Sequence, residues 1–175
     1  MDRPLLLLDV DGVISLFGFD PAQPPAGGFL LVDGIAHFLS ATAGGHLRRL
    51  AREFELAWCS GWEEKANEYL PLALGLPGPL PHVTLTSAAP TVAANWKLGG
   101  IARFVEDSRP LAWVDDCHDD ACRAWAADRS GQVLLVSTEP AVGLTEQHVA
   151  ELLAWAAQLR RSQRASAPGE DATQP

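Results

Sequence analysis

Asp9 and Asp11 stand one residue apart at the end of the apolar run Leu5-Leu6-Leu7-Leu8. Two carboxylates so close repel each other and resist desolvation, so a chain carries them most readily where a cation or a reaction uses them. Asp115 and Asp116 follow a second apolar run, Leu111 to Val114, and Ser60 follows a third, Phe54 to Cys59. Four aspartates without a His or Cys partner form a hard oxygen set. Such a set suits Mg²⁺, which takes one or two carboxylates, waters and substrate phosphate oxygens. The Ser60 hydroxyl can donate to a phosphoryl oxygen, and Lys97 adds a positive charge. Together these residues fit phosphoryl transfer, in which a cation and a lysine neutralise equatorial oxygens while a carboxylate attacks in line.

The elements that must position these side chains can be read from the same runs. Short apolar segments bounded by turn residues predict buried strands of an open α/β sheet. Strands are expected over residues 4–10, Phe54–Cys59, His82–Thr86, Leu111–Val114 and Gln132–Ser137. Helices are expected over His46–Glu53, Trp62–Leu74, Trp96–Glu106, Asp119–Arg129 and Thr145–Arg161. Gly75 is a natural helix stop and Thr145 a natural N-cap. Pro21, Pro24, Pro25, Gly27 and Gly28 mark a loop. The apolar pieces on either side, Val13–Phe19 and Phe29–Val32, are expected to pair as a small β-flap. Leu76–Pro81 and Ser87–Asn95 read as loops, and the tail from Ser162 to Pro175 as disordered. Strands alternating with helices imply a parallel sheet with right-handed crossovers. The carboxyl ends of parallel strands lie on one edge, where such sheets bind ligands. Asp9 and Asp11, Ser60, and Asp115 and Asp116 therefore converge on one cleft.

These motifs resemble those of the haloacid dehalogenase (HAD) superfamily, whose members are mostly Mg²⁺-dependent phosphatases and phosphotransferases. Asp9-Val10-Asp11-Gly12-Val13 is similar to the first family motif, and Ala57-Trp58-Cys59-Ser60 to the second. Lys97 matches the third, and Ala112-Trp113-Val114-Asp115-Asp116 the fourth. All four occur in order between residue 5 and about residue 137. The resemblance implies a Rossmann-like three-layer sandwich with a mainly parallel central sheet. It implies that Asp9 is the nucleophile, forming an aspartyl-phosphate, and that Asp11 is the general acid and then the base. Gly12, Ser60, Gly61 and Lys97, with Asp11, would hold the phosphate. Asp9, Asp115, Asp116 and the backbone carbonyl of Asp11 would hold Mg²⁺. Neither interval between motifs has room for a separate cap domain, so a minimal, capless member with an open cleft is expected.

Composition narrows the setting. At 175 residues the chain is expected to be one domain, residues 1–161, with its flap near residues 13–32. A formal net charge of −9 argues against a surface that coats nucleic acid. A bound cation would still admit a small anionic substrate. The odd count of three cysteines fits a reducing compartment. No apolar stretch approaches the roughly 20 residues of a membrane span, and the N-terminus does not read as a signal peptide. The expectation is a cytoplasmic monomer or homodimer acting on a phosphorylated small molecule or macromolecule. Two alternatives stay open: a catalytically weak phosphate-binding or regulatory module, and a phosphatase acting on nucleic-acid ends. Trp62 and Trp96, beside Ser60 and Lys97 in sequence, read either as packing residues or as aromatic walls for a base or sugar.

Overall fold

All four side chains of the first strand, β1 (Leu5–Leu8), are buried. Successive residues of a strand face opposite ways. Leu6 and Leu8 accordingly join one hydrophobic cluster, and Leu5 and Leu7 another. A strand apolar on both faces belongs in the middle of a sheet covered on both sides. The computed structural model, which describes residues 3–85 and 94–166, places it there. The central sheet runs β5-β1-β6-β7, all parallel, with β5 at Glu55–Trp58, β6 at Leu111–Asp115 and β7 at Val133–Ser137.

The face carrying Leu6 and Leu8 packs on α1 (Ala43–Leu50), α2 (Ala66–Leu74) and α5 (Glu146–Ser166), through residues such as Leu47, Leu70 and Leu152. The other face packs on α3 (Leu98–Phe104) and α4 (Asp120–Asp128), through Ile101 and Cys122. Helix, sheet and helix make the three layers expected of a Rossmann-like α/β domain. Each buried leucine contributes roughly 1.5–3 kcal/mol. Gly75 ends α2 in the left-handed region at φ 62°. Asp119 caps α4 by accepting the Cys122 N–H, and the Thr145 hydroxyl accepts the His148 N–H at the start of α5.

Between β1 and α1 lies a second, antiparallel sheet of order β2-β4-β3, built from β2 (Ser15–Leu16), β3 (Gly27–Val32) and β4 (Ile35–Ser40). This flap is larger than the one expected over residues 13–32. The Val13–Phe19 piece does not pair with Phe29–Val32; each pairs instead with β4. The turn between β3 and β4 is Asp33-Gly34, both residues at positive φ (51° and 82°), as a two-residue I′ hairpin requires. One flap face, with Leu30 and Leu39, packs on the core. The other exposes Phe29 and Leu31 at 74% and 67%. Among the described residues there is no separate cap domain.

Three expectations change. His82 forms a single bridge with Trp58 rather than a strand; Pro81 has no N–H to extend the ladder and supplies only its carbonyl, to the Trp58 N–H. Thr86, and all but the last two residues of the Ser87–Asn95 loop, lie outside the described residues. Ala94–Lys97 is one 3-10 turn leading into α3. The final helix continues to Ser166, so the disordered tail expected from Ser162 does not begin there; residues 167–175 lie outside the description. The cysteines are free thiols, and no described helix is long and apolar enough to cross a membrane.

Candidate active site

Asp9 follows β1 directly and is wedged between its neighbours. Its N–H donates to the Val114 carbonyl of β6 at 3.0 Å, while the Cys59 N–H after β5 donates to the Leu8 carbonyl at 2.7 Å. The chain then turns sharply. Val10 O accepts from the Ile14 and Ser15 N–H groups at 2.8 and 2.9 Å, and Gly12, at φ 73°, donates to Ser15 O at 2.7 Å. A side chain at Gly12 would collide with Asp116: its Cβ would lie 2.4 Å from Asp116 Oδ2. Thr138, just past β7, ties the two acidic motifs together. Its hydroxyl donates to Gly12 O at 2.8 Å and its N–H to Asp115 O at 3.1 Å.

The buried Lys97 ammonium donates to both Asp9 Oδ2 (2.7 Å) and Asp115 Oδ2 (2.6 Å). Burial pushes the Asp9 carboxyl up, to about 6; the Asp115 charge adds to this, and Lys97 offsets only part of it. Burial also raises Asp115 against the pull of Lys97, and it raises Asp116. Burial alone would lower Lys97, but Asp9 and Asp115 outweigh it and hold the ammonium charged. Oxygens of Asp9, Asp115 and Asp116 lie within 4.8 Å of one another. With all three ionised, one ammonium faces three carboxylates and two negative charges remain. A divalent cation is the species that would neutralise them, and a set of carboxylate oxygens fits Mg²⁺.

Ser60 is buried at the carboxyl end of β5, where its hydroxyl accepts the Trp62 N–H at 3.4 Å. The Trp96 ring lies 3.8 Å from where a Gly61 Cβ would be, so Trp96 borders this loop. β1 ends at Leu8, so Asp11 lies beyond the strand, in the turn that follows it. Its carboxylate, half exposed, has different partners. The Trp62 indole N–H donates to Asp11 Oδ2 at 2.9 Å, and His37 Nδ1 lies 3.6 Å from Asp11 Oδ1. The Asp11 side chain is therefore outside the three-carboxylate cluster.

His37, Thr138 and the Trp62 indole N–H were not singled out in the sequence for these contacts. A threonine closing a strand at the same sheet edge was a usable signal for Thr138. His118, just past the acidic pair, is packed edge-on against Trp113 with centroids 4.6 Å apart. Burial pushes its imidazole down, to about 4.

The family model of the HAD domain in Swiss Army Knife RNA repair proteins matches residues 5–149. The chain belongs to this HAD family. That span covers all four motifs, from β1 to the first turn of α5. A comparison with curated proteins found no match. Among solved structures, the HAD domain is similar to "The Structure of Fcp1, an essential RNA polymerase II CTD phosphatase", at 14% identity and a TM-score of 0.41. The alignment covers 99% of this chain and 55% of that one, so the chain spans about half the length of that relative.

Proposed function

We propose that this HAD domain is a Mg²⁺-dependent phosphomonoester hydrolase working through an aspartyl-phosphate on Asp9. The observation that carries the reading is the Lys97 ammonium held between Asp9 and Asp115, with Asp116 alongside, at the carboxyl edge of a parallel sheet. Asp9, Asp115, Asp116 and the Asp11 carbonyl would hold the cation. When bound, it would draw charge from the phosphoryl oxygens and let an anionic substrate approach a carboxylate.

Asp9 attacks phosphorus, the bond to the leaving oxygen breaks, and the Asp11 carboxyl passes its proton to that oxygen. Asp11, now a carboxylate, takes a proton from the water that attacks the phosphoryl group. The bond to Asp9 breaks, inorganic phosphate leaves, and both aspartates return to their starting states. Ser60 and Lys97, with the Gly12 and Gly61 backbone, steady the transferring group. Asp9→Asn is expected to abolish turnover of para-nitrophenyl phosphate while keeping the melting temperature within a few degrees. Undiminished turnover by that variant would overturn the mechanism.

The family's name favours a particular substrate, the phosphorylated end of a nucleic acid. Only the terminal phosphate needs to enter the cleft, where the cation would offset the carboxylate charge and, with Lys97, offer the phosphate positive partners. The rest of the strand would need a basic partner, given the net charge of −9. A panel of phosphorylated metabolites and short oligoribonucleotides with 5′ or 3′ phosphates, each with Mg²⁺ or EDTA, separates these substrates. Phosphorylation of Asp9 by acetyl phosphate without turnover anywhere on the panel would favour a regulatory module instead.

A further inference from the structure

We propose that Trp62, braced by His37 of the flap, is a positioning residue that fixes Asp11 as proton donor to the leaving group. This rests on the acid–base role proposed above for Asp11. The Asp11 side chain is 49% exposed. What restrains it is the Trp62 indole N–H, which donates to Oδ2 at 2.9 Å. Indole nitrogen is a donor only, so Oδ2 must accept from it, and a carboxyl oxygen that carries no proton is the better acceptor. The contact therefore favours Oδ1, the oxygen on the His37 side, as the one that carries the proton when Asp11 acts as donor. It biases which oxygen delivers the proton as well as where the carboxyl points.

The indole is itself held in place. The Trp62 backbone N–H reaches Ser60 Oγ, and the ring packs partly on the core. The His37 ring meets it edge-on, with centroids 4.6 Å apart at 68°. His37 Nδ1 in turn lies 3.3 Å from Ser15 Oγ, which fixes the imidazole to β2. The path from flap to Asp11 therefore runs from β2 through β4 to the indole. The antiparallel sheet holds the wall against which the acid is set.

Proton donation matters most when the leaving group is a poor one. The test compares kcat/KM for an activated aryl ester, para-nitrophenyl phosphate, with that for an alkyl ester, glycerol phosphate, both with saturating Mg²⁺. That parameter stops at leaving-group departure and excludes the later water attack. Asp11→Asn sets the benchmark: it should raise the aryl-to-alkyl ratio by about a hundredfold, the lower range for a general acid. Trp62→Phe keeps an aromatic ring and loses the N–H, and should raise the ratio at least tenfold. His37→Ala should shift it in the same direction, and His37→Phe, which restores a ring against Trp62, should shift it less.

If Asp11→Asn leaves the ratio unchanged, the acid role fails and the positioning role with it. If Asp11→Asn shifts the ratio and Trp62→Phe does not, the positioning role alone fails. A Trp62→Phe variant close to the parent, with Trp62→Ala raising KM equally for both esters, would make Trp62 a stacking wall and overturn the proposal. Equal losses on both esters in Trp62→Phe, with a lowered melting temperature, would also overturn it, as a purely structural effect.

Discussion

Gly12 works through the atom it lacks. It belongs to the turn after β1 at φ 73°, and any Cβ there would sit inside the Asp116 carboxylate. The sequence placed Gly12 among the phosphate-binding residues; the geometry adds that its bare Cα makes room for the second acidic motif. Gly12→Ala is therefore expected to destabilise the protein by about 1–3 kcal/mol, from a strained left-handed backbone and the displaced carboxylate. It should also weaken Mg²⁺ binding. Chemical denaturation and a Mg²⁺ titration check both, and unchanged values in the variant would sink the argument. Lys97 has the converse role. Lys97→Met leaves Asp9 and Asp115 buried without their cation, and breaking such a pair costs about 3–5 kcal/mol. Urea denaturation in EDTA should show a loss of that order, and an unchanged midpoint would mean that the pairing contributes nothing. The acidic motifs were legible in the sequence because each strand end places its residues at the edge without help from the rest of the fold; Lys97, in the 3-10 turn before α3, was legible only through its order among the motifs. His37 was not legible, because its place depends on how an inserted sheet brings β4 up to Trp62 and Asp11.

The flap shows what a reading of short elements misses. The prolines and glycines of residues 21–28 are the conspicuous breakers, yet the hairpin reverses at Asp33-Gly34, and β4 follows at once. Asp-Gly between apolar residues is a strong hairpin signal, and it was the clue available in the sequence. Its tip is tethered: the Lys65 ammonium and the Tyr69 hydroxyl both donate to Asp33. Asp33→Ala removes both contacts and should raise amide exchange in β3 and β4 several-fold while β1 and β6 stay protected. Identical exchange in both sheets of parent and variant would show that the tether does not hold the flap. Helix α4 was legible in the sequence, and Asp119 directly precedes it as its cap. The Cys122 N–H, with Asn95, holds the Asp119 carboxyl below the usual carboxylate range. A lowered folded pKa means the unfolded chain binds the proton more readily, so this stability is present at neutral pH. It is lost as pH falls through the lowered value. Asp119→Ala should lower Tm by a few degrees at neutral pH and hardly at all in strong acid. An equal loss at both pH values would rule out the charge as its source.

Across the whole molecule, the cleft and the surface carry the same sign. The formal charge is −9, and part of it sits in the cleft, where three carboxylates are faced by one lysine. Any salt should stabilise such a protein somewhat by screening its self-repulsion. A cation bound in the cleft should do much more, because the unfolded chain has no such site to offer. A ligand at 100 times its Kd that binds only the native state adds about 2.7 kcal/mol. A domain of this size gains roughly 2–4 °C in Tm per kcal/mol, so saturating Mg²⁺ should raise Tm by about 5–11 °C. Asp115→Asn should remove most of that rise, since Asp115 is the most deeply buried of the three carboxylates. Potassium chloride at matched ionic strength should leave only the screening part, the same in parent and variant. The difference between the two salts, read by calorimetry on both proteins, isolates the site from the surface. If Mg²⁺ raises Tm equally in parent and Asp115→Asn, the stabilisation is screening, and the cluster of Asp9, Asp115 and Asp116 does not hold the ion.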